Sequence, residues 1–354
     1  MTVPTTDSAM YQTIHRQPDD LRRLLTEGWA QAEEAASRLG PARRVFTVGI
    51  GTSYHAALAG AWLLRAAGLD ARAVSSFDFA LYPAAADLTA DDAVIVMAHS
   101  GTKQFSTRAM EKATAVGATR LSVGSLSAEH PGSQLVLRTV ERERSAAFTS
   151  SHLAAMTVLA QVATVVGEQA KSELTSDFRV ALEQLPDQVA ELLTREAEVA
   201  PVAVAAAARR IYAAGAGPNE ATALEAVIKV REAAQGWIDA LALEQFLHGP
   251  IVSVNPGDQA IVIQVPGHGA ERVAQVSRVL DAIGAHLWLI GQPVDGLNAT
   301  TFRLPEAPEL LSPLLAVVPV QLFAYFMAVE KRINPDRFRR DEERYNAAFG
   351  LLQL

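Results

Sequence analysis

The stretch "VGIGTSYHAALAG", Val48–Gly60, decides how the rest of this chain is read. It joins a short β-rich run, "RRVFTVG" (Arg43–Gly49), to a helix-like run, "YHAALAGAWLLRAAG", that stops at Gly68. A strand that ends in glycine and opens a helix aims backbone N–H groups and the helix dipole at one point, which suits an anion. Thr52 and Ser53 add hydroxyl donors. A dinucleotide fingerprint would need a glycine where Tyr54 stands, and an acidic residue ending the next strand. Asp70 precedes that strand and Asp78 lies well past its start. What remains is a cradle for a phosphate or a tight turn with an ordinary Ser/Thr cap.

Upstream of this stretch, Asp19 to Leu39 reads as one or two leading helices. "ARAVSS" (Ala71–Ser76) and "DAVIVMAHSG" (Asp92–Gly101) read as second and third strands, with the helix "STRAMEKATAVG" after the latter. "TRLSVGS" and "SQLVLRT" complete the set. Strands alternating with helices of this length imply a parallel sheet covered on both faces. The apolar helix "SSHLAAMTVLAQVATVVG" follows, then a polar helical stretch from Glu173 to Glu198 that reads as a link. The pattern then restarts. "RRIYAAGAG" (Arg209–Gly217) parallels "RRVFTVGIG", "QAIVIQV" parallels "AVIVMA", and "AHLWLIG" parallels "TRLSVGS". The spacing predicts an internal duplication of an αβα unit. The expected boundaries are 1–40 leading helices, 41–170 first unit, 171–199 helical linker, 200–331 second unit and 332–354 tail.

Bulk properties narrow the function classes. The chain has 354 residues, a formal charge of −8 and no cysteine. Disulfides, thiolate metal sites and cysteine nucleophiles are excluded. No basic block suggests nucleic acid, so an anionic ligand must be held by loop amides and a few local cations. The N-terminus lacks the h-region of a signal peptide. The longest apolar runs, such as "SPLLAVVPVQLFAYFMAV", are short or interrupted by proline, so no membrane span is expected. A cytoplasmic location is the default expectation.

Four further segments can carry chemistry. "AHSGTKQ" (Ala98–Gln104) ends the third strand and offers Ser100, Gly101, Thr102 and Lys103 to a phosphate. It would share the carboxyl edge of the sheet with the first loop, where open parallel sheets bind ligands. In "AAFTSSH" (Ala146–His152), Thr149, Ser150 and Ser151 are natural N-caps, of which some could face the same anion. Glu225, Lys229 and Glu232 are spaced i, i+4, i+7 and share one helix face. By spacing alone that face reads as a solvated Glu–Lys pair. His248, in "LEQFLHGPIVSV", sits at a helix end before Gly249 and Pro250 and could move protons near neutrality.

Together, "IHRQPDDLRRLL", "GIGTSYHAALAG", "AHSGT", "ALEAVIKVREA", "FLHGPIVSV" and "VVPVQLFAYFMAV" resemble the sugar isomerase (SIS) family, and within it the isomerase half of glucosamine-6-phosphate synthases. The resemblance runs in order along nearly the whole chain. It implies two flavodoxin-like αβα SIS subdomains, each a parallel sheet flanked by helices. It implies a sugar phosphate held by Gly51, Thr52, Ser53, His99, Ser100, Thr102 and Lys103, with Thr149 or Ser150. It implies that Glu232 shuttles a proton between C1 and C2 with Lys229 beside the reacting carbons. His248 would assist ring opening, entering from the neighbouring subunit of a homodimer. Partial burial should raise the pKa of such a shuttling carboxylate. No cofactor or metal is implied.

Three departures shape the expectation. The synthases join a glutaminase with a catalytic cysteine to this half, whereas this chain opens on the isomerase-like part and has no cysteine, so glutamine-dependent amidotransfer is not expected. The family's second loop usually reads Ser-Gln-Ser-Gly-Glu-Thr, and here Ala98, His99 and Lys103 are replacements. Glu343, flanked by Arg340 and Arg344, stands where the synthase tail has a lysine, so Schiff-base chemistry from the tail over the active site is not expected. The expected activity is isomerisation of a ketose or aldose phosphate, or deamination of an amino-sugar phosphate, through an enediol or enolamine. A ketosamine-phosphate deglycase is a near alternative. A non-catalytic sugar-phosphate sensor is the alternative of another class.

Overall fold

The computed structural model describes residues 7–172, 174 and 176–352. Helix α1 (Ala9–Glu27) carries Pro18 inside it and is followed by α2 (Trp29–Leu39). Then come β1 (Val45–Gly49), α3 (Thr52–Ala66), β2 (Ala71–Ser75), α4 (Ser76–Leu81), β3 (Ala93–Met97), α5 (Gln104–Ala115), β4 (Thr119–Gly124) and β5 (Leu135–Arg138). The five strands form one wholly parallel sheet in the order β2-β1-β3-β4-β5. Period-two burial sorts its side chains. Phe46, Val48, Val94 and Val96 pack on Phe79 of α4 and on Ala109, Met110 and Ala113 of α5. On the opposite face Thr47 donates its hydroxyl to Ala57 O of α3 at 2.9 Å. Helix α6 (Ser150–Ala170) packs on α3 and α2.

The segment read as one helical link is three helices: α7 (Ser176–Glu183), α8 (Leu185–Thr194) and α9 (Glu196–Ala206). A second set follows: β6 (Ile211–Gly215), α10 (Glu220–Ala234), β7 (Ile238–Ala242), α11 (Leu243–Leu247), β8 (Gln259–Gln264), α12 (Ala270–Ile283), β9 (His286–Gly291), β10 (Ala299–Arg303) and α13 (Ser312–Glu330). Its strands are also all parallel, in the order β7-β6-β8-β9-β10, which is the order of the first sheet. Tyr212, Val262, Leu287 and Leu289 pack on Val273, Val276 and Leu280 of α12 and on Phe246 of α11. On the other face α10, α13 and α9 pack together, and the Trp288 ring stacks on Phe323 at 5.0 Å. The chain ends in α14 (Glu343–Phe349).

The contacts divide the chain into two compact units. The first-sheet unit comprises Gln17–Glu143, Ser150–Pro186 and the chain from Arg339. The second-sheet unit comprises Asp187–Phe338, Arg144–Thr149 and the chain up to Arg16. The helical link and the tail are thus shared out, since α7 goes with the first sheet and α9 with the second.

Each sheet carries the same arginine–aspartate fork at its amino-terminal edge. Arg44 Nε and Nη2 donate to Asp92 at 3.0 and 2.8 Å, and Arg210 Nε and Nη2 to Asp258 at 3.2 and 2.8 Å. In both cases the arginine precedes the first strand and the aspartate the third, so the fork ties adjacent parallel strands at their start.

The closing apolar run forms one continuous helix despite its prolines. Pro313 lies at its start, where no intrahelical N–H is required, and α13 continues through Pro319. By length and composition α6 and α13 could each cross a membrane, but 94% and 89% of their apolar windows are buried inside the protein. They are core helices of the two units.

Candidate active site

In the first-sheet unit the two predicted ligand loops fall together. β1 and β3 are hydrogen-bonded neighbours, paired Val45↔Ala93 through Val48↔Val96. The strand order reverses between them, and the crevice at such a switch point is where open α/β sheets take ligands. The loop after β1 supplies Gly51, Thr52 and Ser53; the loop after β3 supplies His99, Ser100, Thr102 and Lys103. The N-cap of α3 is Gly51, with no side-chain cap. The Ser/Thr-cap reading of this turn is therefore corrected: Thr52 and Ser53 lie in the first helical turn, where amides point out of the helix end. Lys103 is the exposed N-cap of α5, again with no side-chain cap. Beside the loop, Tyr54, Ser75, Asp78 and Tyr82 line an open hollow of about 530 Å³.

The second loop is braced from below. Ser125 N–H donates to His99 O at 3.0 Å, and Ala98 N–H to Val123 O at 2.9 Å. The His130 ring lies against the Cα of Gly124, so close that a Cβ there would sit 2.0 Å from Nε2. Burial, with Arg138 and His99 nearby, pushes the His130 imidazole down to about 4. The ring is thus an uncharged prop.

Three members of the expected phosphate shell face the protein instead. His99 Nε2 accepts the Glu143 N–H at 3.4 Å, so its ring leans on the 143 segment. Thr149 is buried with its hydroxyl on Thr13 Oγ1 at 2.9 Å. Ser150 is buried with its hydroxyl on Asp20 Oδ2 at 2.5 Å. These two hydroxyls are spent on packing α1 against the start of α6. In the first turn of α6 it is Glu143 Oε1 that accepts the Ser151 N–H, at 2.7 Å. A carboxylate eight residues upstream leaves no local spacing signal, so sequence reading missed it.

In the second-sheet unit, α10 brings Glu225, Lys229 and Glu232 together. Lys229 Nζ lies 3.4 Å from Glu225 Oε1 and 3.0 Å from Glu232 Oε2. The side chains of Lys229 and Glu225 are 0% exposed, and that of Glu232 is 30% exposed. The solvated-face reading is overturned. Leu224, Val227 and Ile228 are partly exposed, whereas Val230 and the charged Glu225 and Lys229 are buried. Charge this far from water is tolerated only when paired. Two carboxylates around one ammonium leave a net negative charge, and Glu232 is the member that solvent can reach.

His248 terminates α11 and is exposed, with Nε2 3.2 Å from Glu244 Oε2. Trp237 and Val252 are exposed on the flanking segments.

The equivalent crevice of the second sheet, between the loops after β6 and β8, is occupied by the chain itself. Glu309 Oε2 accepts the His268 N–H at 3.1 Å and lies 2.9 Å from His268 Nδ1. Gly267 allows this approach, because a Cβ there would sit 2.2–2.6 Å from the carboxylate atoms. Ser312 Oγ, which accepts from Asn219 Nδ2 at 2.7 Å, donates to Glu309 O at 2.6 Å and fixes the segment. Among the described residues no group of three or more His, Asp or Glu side chains could hold a metal ion.

An open parallel sheet with two polar loops at its switch point is the arrangement in which α/β folds take ligands. Residues 38–165, which span all five strands of the first sheet, match the family model described as the SIS domain. The chain is also a homologue of the glutamine–fructose-6-phosphate aminotransferases (isomerizing). It is 28% identical over 337 residues to that of Pyrococcus horikoshii, and 29% identical over 353 residues to that of Gloeobacter violaceus. Each match covers 93% of this chain but only 56% and 57% of the relative, so the chain spans little more than half their length. Among solved structures, the C-terminal domain of glucosamine-fructose-6-phosphate aminotransferase from Francisella tularensis superposes with a TM-score of 0.85 at 16% identity, covering 94% of this chain and 99% of that one. Tagatose-6-phosphate ketose/aldose isomerase from Escherichia coli gives 0.76 at 20%, covering 95% and 96%. Glucosamine-6-phosphate deaminase from Thermotoga maritima gives 0.76 at 18%, covering 93% and 97%. The fold is shared across all three.

Proposed function

We propose that the chain is a sugar-phosphate isomerase or amino-sugar-phosphate deaminase that moves a proton between C1 and C2. The observation that carries this reading is the buried Glu225–Lys229–Glu232 cluster on α10. The names of the relatives and neighbours supply the substrate class. Phosphate would be taken by the amides and hydroxyls of Thr52, Ser53, Ser100 and Thr102, with Lys103 as the local cation. The Glu232 carboxylate would accept the carbon-bound proton and return it to the adjacent carbon, through an enediol for a hydroxy sugar or an enolamine for an amino sugar. Lys229, 3.0 Å from Glu232, would hold that carboxylate in one rotamer and offset the negative charge that grows on the substrate oxygen. His248 would serve ring opening from across a homodimer interface, which its exposure permits.

The test is solvent deuterium incorporation at the carbon next to the carbonyl, with fructose 6-phosphate as the probe. Wild type is expected to exchange this proton and Glu232→Gln to lose at least a hundredfold in rate, since general acid–base catalysis contributes about 10²–10⁴. Binding without exchange in the wild type would favour a sensor. Equal exchange by Glu232→Gln would remove Glu232 from the mechanism. Ammonia release from glucosamine 6-phosphate separates deaminase from isomerase.

A further inference from the structure

His248 is poorly held by its own loop. It is the C-cap of a five-residue helix, its side chain is 74% exposed, and the space around Gly249 is open. An exposed imidazole on so short a helix would ordinarily exchange between rotamers on the ps–ns scale. Its observed orientation comes from Glu244, one turn earlier, whose Oε2 lies 3.2 Å from Nε2. A single exposed pair of this kind is weak. This one is part of a network that starts on another helix. Arg272 of α12 grips Glu244 with two nitrogens, Nε on Oε1 and Nη2 on Oε2 at 3.2 Å. Arg272 Nη1 in turn donates to Gln275 Oε1 at 3.0 Å. A forked arginine–carboxylate contact fixes both partners in a plane.

We propose that Glu244, clamped by Arg272, is the positioning residue for His248, orienting its imidazole with Nε2 on the carboxylate and Nδ1 turned to the ligand. This rests on the proposed function in giving His248 a part in ring opening. Arg272 holds the Glu244 carboxyl below the usual carboxylate range, so Glu244 is an acceptor only. In the tautomer that places the hydrogen on Nε2, towards this acceptor, Nδ1 carries the lone pair. That nitrogen can take the proton of the anomeric hydroxyl as the anomeric carbonyl forms and the bond from that carbon to the ring oxygen breaks. The same proton then goes to the ring oxygen, so the step begins and ends with neutral imidazole.

The test uses the full chain, its Glu244→Ala and Arg272→Ala variants, and two readouts. The first is the Hα–Hβ coupling of His248 by NMR, with His248→Gln to assign the signal. The wild type is expected to show one rotamer, and both variants averaged couplings. Averaged couplings in the wild type, or one rotamer in both variants, would overturn the proposal without any sugar present. The second is deuterium exchange with fructose 6-phosphate and with its 5-deoxy analogue, which cannot close a five-membered ring. Both variants are expected to lose about tenfold or more on the cyclic sugar and less than twofold on the open-chain analogue. Equal losses on both sugars would make the network merely structural. A wild type that exchanges neither sugar would sink the proposed function, and the couplings would still decide the positioning.

Discussion

Lys229 and Glu225 are both removed from solvent, one helical turn apart, with Nζ 3.4 Å from Oε1. Breaking a buried ion pair by truncating one partner costs about 3–5 kcal/mol, because the other charge stays behind in a poor dielectric. Lys229→Met is expected at the upper end of that range, since it leaves two carboxylates facing one another. Glu225→Gln keeps the volume and a hydrogen-bonding oxygen and should cost less. Urea unfolding midpoints measure both. A Lys229→Met chain as stable as wild type would mean that these charges are hydrated and not buried.

The same pair shows what sequence could and could not convey. The i, i+4, i+7 spacing put the three charges on one face, but amphipathic logic assigns such a face to water. The helix departs from that logic, because Glu225 and Lys229 are fully buried while Leu224, Val227 and Ile228 stay partly exposed. Only the family resemblance pointed the right way. The central strands of both sheets were legible because they are continuous apolar runs buried on both faces. Of the four edge strands, all only partly buried, β2 and β5 were legible as β-rich runs, whereas β7 ("IDALA") and β10 ("ATTFR") were not. Glu143, Glu309 and the Glu244–Arg272 grip join residues far apart in sequence, and no local spacing marks them.

The arginine–aspartate forks of the two sheets should differ in strength. Asp92 is fully buried and gripped by Arg44 and Arg43, whereas Asp258 faces Arg210, which is 46% exposed. Burial works against ionisation of Asp92, but bonds from Arg44, Arg43 and the Thr89 N–H outweigh it and hold its carboxyl well below the usual range. Asp92→Ala is expected to cost about 3–5 kcal/mol at pH 7, and Asp258→Ala under about 2 kcal/mol given the exposure of its partner. A depressed carboxyl stabilises the fold fully above its unfolded pKa, about 3.9, and loses that contribution as pH falls towards its folded value. The gap between wild type and Asp92→Ala in denaturant titrations should therefore hold from pH 7 to about 4 and narrow below it.

His130 should act in a different window. Its imidazole is pushed down to about 4 by burial, Arg138 and His99. The unfolded chain, with an ordinary histidine near 6.5, binds the proton first, so stability is full above about 6.5 and is lost as pH falls from there to about 4. His130→Gln should flatten that part of the stability profile and leave the part below pH 4 unchanged. A variant whose profile tracks wild type between pH 6.5 and 4 would contradict the assignment.

Gly49 and Gly215 end the first strand of each sheet, and both are required by close approach and not by backbone conformation. A Cβ at Gly49 would lie 2.5 Å from the Ser53 carbonyl, and one at Gly215 would lie 2.1 Å from Asn219 O. The obstacles are backbone of the first turn of α3 and of the N-cap of α10, so relief requires moving the start of either helix. Gly49→Ala and Gly215→Ala are each expected to cost about 3 kcal/mol, the upper end for overpacking. Thermal unfolding reports the cost. Gly49→Ala should also weaken phosphosugar binding, because it displaces the first turn that carries Thr52 and Ser53.

Glu309 bears on stoichiometry. Its carboxylate already occupies the second sheet's switch-point crevice, bonded to the His268 N–H at 3.1 Å. An incoming phosphate there would meet a like charge, so the two crevices of one chain are not equivalent. Calorimetric titration with fructose 6-phosphate is expected to give one site per chain. Glu309→Gln keeps the shape of the crevice filling but exchanges a charged acceptor for a neutral one, which should cost about 1 kcal/mol of stability and leave the stoichiometry at one. Two sites per wild-type chain would show that the carboxylate yields to phosphate, and would place ligand in the second unit as well as the first.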